Sequence, residues 1–144
     1  MEIYGRSTEP MSDRSQDWLA QAKRDLEHAR KDTVDGYFEH ACFESQQAAE
    51  KAAKAVFQKL HREAWGHCVS QLLLELRDSA VAPEKGLIDD ARLIDQYYIP
   101  TRDPNGFESG APMDYYTEEQ AKDAVDRAER IIKWCHNILG TEPG

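Results

Sequence analysis

The sequence has few cysteines and no long apolar run, and both shortages narrow what the protein can be. Its three cysteines, Cys42, Cys68 and Cys135, are far apart and odd in number, which argues against a disulfide framework or a zinc site. We expect all three to be buried, reduced thiols. No apolar run approaches the roughly 20 residues of a membrane span, and the first residues lack the apolar stretch of a signal peptide. These features predict a cytoplasmic protein that does not bind membranes.

Positive charge is also scarce, with 18 lysines and arginines against 27 acidic residues and a net charge of −9. A protein that binds DNA or RNA broadly needs a basic surface for the phosphates, so this class is excluded. The charge is unevenly distributed, because residues 51–67 carry a net +3 and residues 103–129 a net −6. This asymmetry could guide docking between unlike surfaces or subunits, or it could reflect ordinary solvated helix faces.

Alternating patterns typical of strands are absent, whereas apolar residues recur at steps of three and four. Five helices are predicted. The first begins at Ser12 and breaks at Asp32, the second covers Tyr37–Leu60, and a short third helix follows Gly66. The fourth includes Leu87 and Tyr98, and the fifth follows a Thr117–Gln120 capping box and ends at Gly140. Six alanines between positions 41 and 55 would let neighbouring helices approach closely. The fold class is therefore all-α, an antiparallel up-and-down bundle of four long helices and one short one. We expect a flexible N-terminus over residues 1–11, the bundle over 12–140 and a tail over 141–144.

The segment 99–117 is the best candidate for a recognition element, since long irregular segments in small domains are often functional. It holds three of the six prolines and two of the eight glycines. The side chains predicted to contact a ligand here are Tyr98, Thr101, Arg102 and Asn105, because rings stack on bases and a guanidinium binds phosphate. On the second helix, Gln47 and Lys51 share a face and could line the same pocket. The alternatives are a proline-stiffened cap on the bundle and an ordinary exposed helix edge.

Strong catalytic motifs are missing: there is no P-loop, glycine-rich dinucleotide turn, HExxH, CxxC or G-x-S-x-G. No cofactor and no metal site are predicted.

Three stretches together resemble the HEPN domain family (higher eukaryotes and prokaryotes nucleotide-binding). They are DWLAQAKRDLEHA from Asp17, GYFEHACFESQQAAEKAAKA from Gly36, and YYIPTRDPN from Tyr97, with WGH from Trp65 between them. The resemblance covers about residues 12–139. It implies a helical bundle that forms homodimers, and a stand-alone prokaryotic protein paired with a minimal nucleotidyltransferase in a toxin–antitoxin-like system. It also implies a possible nucleotide or RNA ligand.

Some branches of this family are metal-independent ribonucleases with an arginine and a histidine separated by four to six residues. Two pairs match that spacing, Arg62 with His67 and Arg130 with His136, although chance alone produces such spacings in a chain of this composition. In such an enzyme the histidine would accept a 2′-hydroxyl proton and the arginine would stabilise charge on the phosphate. Our first hypothesis is a nucleotide-binding partner of a nucleotidyltransferase. A ribonuclease and a non-catalytic dimerisation module are the alternatives.

Overall fold

The computed structural model describes residues 13–98 and 108–140. Within these ranges the chain forms five α-helices and no strand. The helices are α1 (Ser15–Asp35), α2 (Phe38–Lys59), α3 (Val69–Leu74), α4 (Lys85–Asp95) and α5 (Glu118–Leu139), and a 3₁₀ turn covers Pro112–Asp114. The predicted all-α bundle is confirmed. The helices differ in length, since α1, α2 and α5 have 21 or 22 residues, α4 has 11 and α3 has six.

The first two helices form a tight antiparallel pair with only two residues between them. Helix α1 continues to Asp35, so the predicted break at Asp32 is wrong. The polar residues at 32–35 stay helical, and the hydroxyl of the buried Thr33 donates to the Ala29 carbonyl at 2.9 Å. The chain turns at Gly36, whose φ of 90° lies in the left-handed region that glycine adopts without strain.

Helix α2 lies at the centre of the fold and packs against each of the other four helices. Its bounds agree with the prediction to within one residue at either end. All six alanines between positions 41 and 55 have no exposed surface, as the predicted stripe required. Small side chains let the neighbouring backbones come close, and the larger Val56 and Phe57 complete the core at its C-terminal end.

Helix α5 closes the bundle against α1, α2 and α4. It begins with the predicted capping box: the Gln120 amide donates to the Thr117 hydroxyl at 3.1 Å, and the Thr117 amide donates to the Gln120 side chain at 2.9 Å. It ends at Gly140, as predicted, where φ is 73° and the amide donates to the His136 carbonyl. Both ends of the helix are therefore specified locally.

Two further sequence predictions have different outcomes. Cys42 and Cys135 are buried and free, but Cys68 is exposed, because it precedes α3 instead of lying within it. The predicted flexible N-terminus and C-terminal tail lie outside the described residues. Among the described helices, none has the length and apolarity that crossing a membrane requires.

Candidate ligand-binding site

Glu50 organises a polar cluster on one edge of α2. The residue is only 5% exposed although it is a carboxylate, so it needs partners. The Lys54 amine donates to its Oε2 at 2.8 Å, and the Nδ1 atom of His67 lies 3.0 Å from the same oxygen. A buried acid thus fixes one cation from its own helix and one imidazole from the α2–α3 connection.

The imidazole of His67 is held from a second side by an aromatic ring. It stacks on Tyr98, with ring centroids 4.9 Å apart and planes 15° from parallel. Phe43 of α2 lies against the other part of the Tyr98 ring, at 6.2 Å between centroids. Tyr98 is the last described residue before position 108, and it is the one predicted ligand contact of this part of the chain that the structure describes.

Two glutamines complete the cluster. Gln46 is fully buried, and its amide donates to the His67 carbonyl at 2.8 Å, which fixes the backbone of the connection. The Gln47 amide donates to the Gln46 side-chain oxygen at 2.8 Å and lies 3.3 Å from Oε1 of Glu50. We call Gln46, Gln47, Glu50, Lys54, His67 and Tyr98 the Glu50 cluster.

A surface groove of about 370 Å³ adjoins the Glu50 cluster, and Lys54 belongs to both. This volume lies within the range of small-molecule sites. The Lys54 amine stands 5.9 Å from the centroid of the Trp18 ring, and the Arg62 guanidinium stands 5.3 Å from that of Phe57. The Trp65 side chain is 72% exposed at the rim. The groove therefore combines flat rings with Lys54 and Arg62, two of the four cations of segment 51–67, and with the acid Glu63. Its lining is Trp18, Lys54, Phe57, Gln58, Arg62, Glu63, Ala64 and Trp65.

The predicted site residues separate into different places. Gln47, His67 and Tyr98 come together in the Glu50 cluster, and Arg62 lies in the adjoining groove. Lys51 forms an ion pair with Asp25 of α1, so it faces the neighbouring helix. Thr101, Arg102 and Asn105 lie outside the described residues.

The second arginine–histidine pair is used structurally. Arg130 donates to both oxygens of Asp90 on α4, at 2.9 and 3.0 Å, and Arg127 donates to the same carboxylate at 2.8 Å. Asp90 is 6% exposed, so these bonds tie α4 to α5. His136 instead contacts Lys23 of α1, with Nδ1 2.9 Å from the amine. Each residue is thus engaged with a different helix.

Sequence reasoning did not identify Glu50, Gln46 or Lys54 as a unit. Glu50 lies in a run of polar residues that flank an apolar stripe, a pattern that normally indicates solvent exposure. Its one local signal is the Glu50–Lys54 spacing of four, which is common on exposed helices. Its partner from outside α2 is His67, which in turn stacks on Tyr98, and only the folded chain brings these three residues together.

Comparisons with known proteins agree on one family. A family model described as HEPN domain matches residues 15–138. The crystal structure of TT1696 from Thermus thermophilus is 37% identical and superposes with a TM-score of 0.85, covering 89% of this chain and all of that one. The structure of ST0689, described as an archaeal HEPN homologue, is 42% identical, with a TM-score of 0.72 over 87% of this chain and 96% of that one.

A curated relative is more distant in sequence. The Methanocaldococcus jannaschii protein named "Putative toxin MJ1304" is 24% identical over 135 residues, covering 88% of this chain and 89% of that protein.

Proposed function

Because this chain belongs to the HEPN domain family, we propose that it binds a nucleotide at the Glu50 cluster and pairs with a minimal nucleotidyltransferase in a toxin–antitoxin-like system. The relative named as a toxin supports the pairing. A homodimer is part of the same proposal, as the family resemblance implies.

The proposal that the protein binds a nucleotide rests on one observation. The buried Glu50 holds Lys54 and His67 in place, and His67 stacks on an aromatic ring. A nucleotide needs a flat surface for its base and cations for its phosphates. The rings of Tyr98 and Trp65 provide the flat surface, and Lys54 and Arg62 provide the cations. Glu50 fixes the position of Lys54 before a ligand arrives, which reduces the entropy lost on binding.

Equilibrium dialysis against ATP and GTP tests the proposed nucleotide binding directly. We expect saturable binding by the wild type. In His67→Ala we expect the affinity to be at least 10-fold lower, because the substitution removes the imidazole that stacks on Tyr98 and can bind a phosphate. Arg102→Ala should weaken binding with an unchanged melting temperature. His40→Ala is the matched control, because His40 is an exposed histidine of α2 that pairs with Glu39 and lies near the Tyr37 ring, away from the Glu50 cluster.

Two results would contradict the proposed nucleotide binding. Absence of saturable binding by the wild type would leave a plain dimerisation module. A melting temperature several degrees lower in Arg102→Ala, with unaltered binding, would assign that arginine to capping the bundle.

The proposed pairing with a nucleotidyltransferase is tested separately, first in the genome and then in solution. If the neighbouring reading frame encodes a nucleotidyltransferase, co-expressed proteins should co-elute on size exclusion, and light scattering should give the mass of a complex built on a homodimer. An unrelated neighbour, or two separately eluting proteins, would refute the pairing.

A metal-independent ribonuclease is a second candidate, and the Glu50–His67 contact favours it. A buried carboxylate that binds Nδ1 of a histidine orients the ring and fixes which nitrogen carries the proton, the arrangement of many catalytic histidines. Arg62 is the arginine of the matching pair and lies in the adjoining groove. His67, not His136, is therefore the base in this candidate.

Incubation of the pure protein with total RNA in EDTA tests the ribonuclease. We expect cleavage to fall by at least 100-fold in His67→Ala, as for loss of a general base, and to persist in His136→Ala. No cleavage by the wild type, or equal cleavage by both variants, would exclude this mechanism.

A further inference from the structure

A second set of polar side chains lies between α1 and α2, away from the Glu50 cluster. His28 and Asp32 are four residues apart on α1 and share a face, and Glu44 of α2 points at them. One ligand atom from each of the three lies within 4.8 Å of the other two. We propose that His28, Asp32 and Glu44 bind a divalent transition-metal ion that clamps α1 to α2.

The donor set fits such an ion. One imidazole nitrogen and two carboxylates suit Zn²⁺ or Mn²⁺, whereas Mg²⁺ and Ca²⁺ prefer oxygen ligands alone. Two atoms that each lie about 2.1 Å from a metal are about 3.0–3.4 Å apart in tetrahedral or octahedral geometry. Nδ1 of His28 and Oε1 of Glu44 are 3.0 Å apart, within this range. Oδ1 of Asp32 lies 3.6 Å from Nε2, the other nitrogen of the same ring, and one ligand atom from each of the three residues lies within 4.8 Å of the other two.

The hydrogen bonding of Glu44 is incomplete, which points to a missing partner. Its Oε1 atom is buried and has no hydrogen-bond partner within residues 13–98 and 108–140, since the approach of His28 has the distance of an ion pair without the geometry of a hydrogen bond. A buried polar atom of this kind is costly unless a proton donor or a cation satisfies it. A metal ion bound to Oε1 would remove the cost.

The charges around the site also favour a cation. Among the described residues, neither Asp32 nor Glu44 forms an ion pair with a lysine or arginine, and His28 is their shared partner. Asp25 lies two turns earlier on α1 than Asp32 and is paired with Lys51. The two carboxylates therefore lack a lysine or arginine counterion within the described residues, and a metal cation would supply the missing positive charge.

An ion has a route to this position. A surface cavity of about 550 Å³ opens beside His28, and its lining includes two acids, Asp25 and Glu27, and two cations, Arg24 and Lys31. The His28 side chain is 61% exposed, while Asp32 and Glu44 are 15% and 21% exposed. The ion would thus enter past the imidazole and bind against two sheltered carboxylates on two rigid helices, where the ligand positions are largely formed in advance.

Titration calorimetry of the EDTA-treated, dialysed protein with MnCl₂ and ZnCl₂ tests the proposal. We expect about one ion bound per chain and a melting temperature about 5 °C higher at saturation. His28→Ala should lose both effects, with affinity at least 10-fold weaker. His40→Ala should keep both, since it removes an equally exposed histidine from the same helix pair. MgCl₂ should give neither effect.

Should His28→Ala fold poorly by circular dichroism, Glu44→Gln serves instead, because it keeps the shape and removes one anionic ligand. Absence of saturable Mn²⁺ and Zn²⁺ binding by the wild type would overturn the proposal. So would equal affinities in wild type, His28→Ala and Glu44→Gln, which would place the ion elsewhere.

Discussion

The imidazole of His67 lies flat on the phenol ring of Tyr98, with centroids 4.9 Å apart, although 31 positions separate the two residues. The contact joins the α2–α3 connection to the segment that follows α4. Oε2 of Glu50 lies 3.0 Å from Nδ1 of the same imidazole, so the stack links Tyr98 to a buried carboxylate of α2. Tyr98 is therefore held against α2 in the proposed nucleotide site.

Two substitutions of Tyr98 should distinguish the contribution of its ring to nucleotide affinity from that of its hydroxyl group. We expect Tyr98→Phe to keep ATP affinity within about threefold, and Tyr98→Ala to lower it about 10-fold, since stacking on a ring contributes about 1–3 kcal/mol per base. Equilibrium dialysis measures both variants. The proposed nucleotide site would be wrong if Tyr98→Ala bound ATP as tightly as the wild type.

Loss of the Asp90 carboxylate should destabilise the bundle. Asp90→Asn removes a buried acceptor that holds Arg127 and Arg130, and we expect the free energy of unfolding to fall by about 1–3 kcal/mol. The arginines can still reach water, which keeps the loss below that of a fully buried pair. Urea denaturation gives the value. The adjacent Asp89→Asn is the control, because Asp89 forms ion pairs at the surface, and its midpoint should not move.

Enlarging one alanine of α2 should test how closely its neighbours pack. Ala52→Leu adds volume where the side chain has no exposed surface, and we expect a loss of about 1–3 kcal/mol from overpacking. Ala20→Leu on the exposed face of α1 makes the same chemical change without burial and should alter stability little. Equal melting temperatures for the two variants would show that the space around Ala52 accommodates a larger side chain, contrary to this prediction.

Thiol labelling should distinguish the three cysteines. Burial raises the pKa of Cys42 to about 12 and raises that of Cys135 as well, so neither forms a thiolate at pH 8. Cys68 is exposed. We expect Ellman's reagent at pH 8 to modify one thiol in the folded protein and all three in guanidinium chloride. Rapid labelling of two or more native thiols would contradict the packing around α2 and α5.

The sequence predicts the helices well because their signals are local. The alanine stripe of α2, the Thr117–Gln120 capping box and Gly140 each act within a few residues, and all three have the predicted role. The clearest failure in helix bounds was at Asp32, where polar residues near a glycine suggested a loop. In the structure Thr33 is buried and the polar residues at 32 and 35 simply form the partly or fully exposed side of the last turn.

The candidate site was less predictable because its contacts join distant segments. Tyr98 is predicted from its ring and Gln47 from the helix face that it shares with Lys51, and both belong to the Glu50 cluster. Glu50, Asp90 and Glu44 were overlooked, since a carboxylate beside an apolar stripe normally indicates solvent. Each is sheltered by a partner from another helix or connection, and no periodic pattern encodes such a partner.

The alanine face of α2 has a mechanical consequence. Side chains without rotamers leave no alternative packing, so this helix cannot slide or rotate against its neighbours without opening voids. Displacing Gln47, Glu50 and Lys54 together would therefore mean disturbing the alanine contacts of the whole helix. The backbone strain of this region lies instead between α2 and α3, where His61 has a left-handed φ of 56°, a conformation that costs a non-glycine residue about 1–3 kcal/mol.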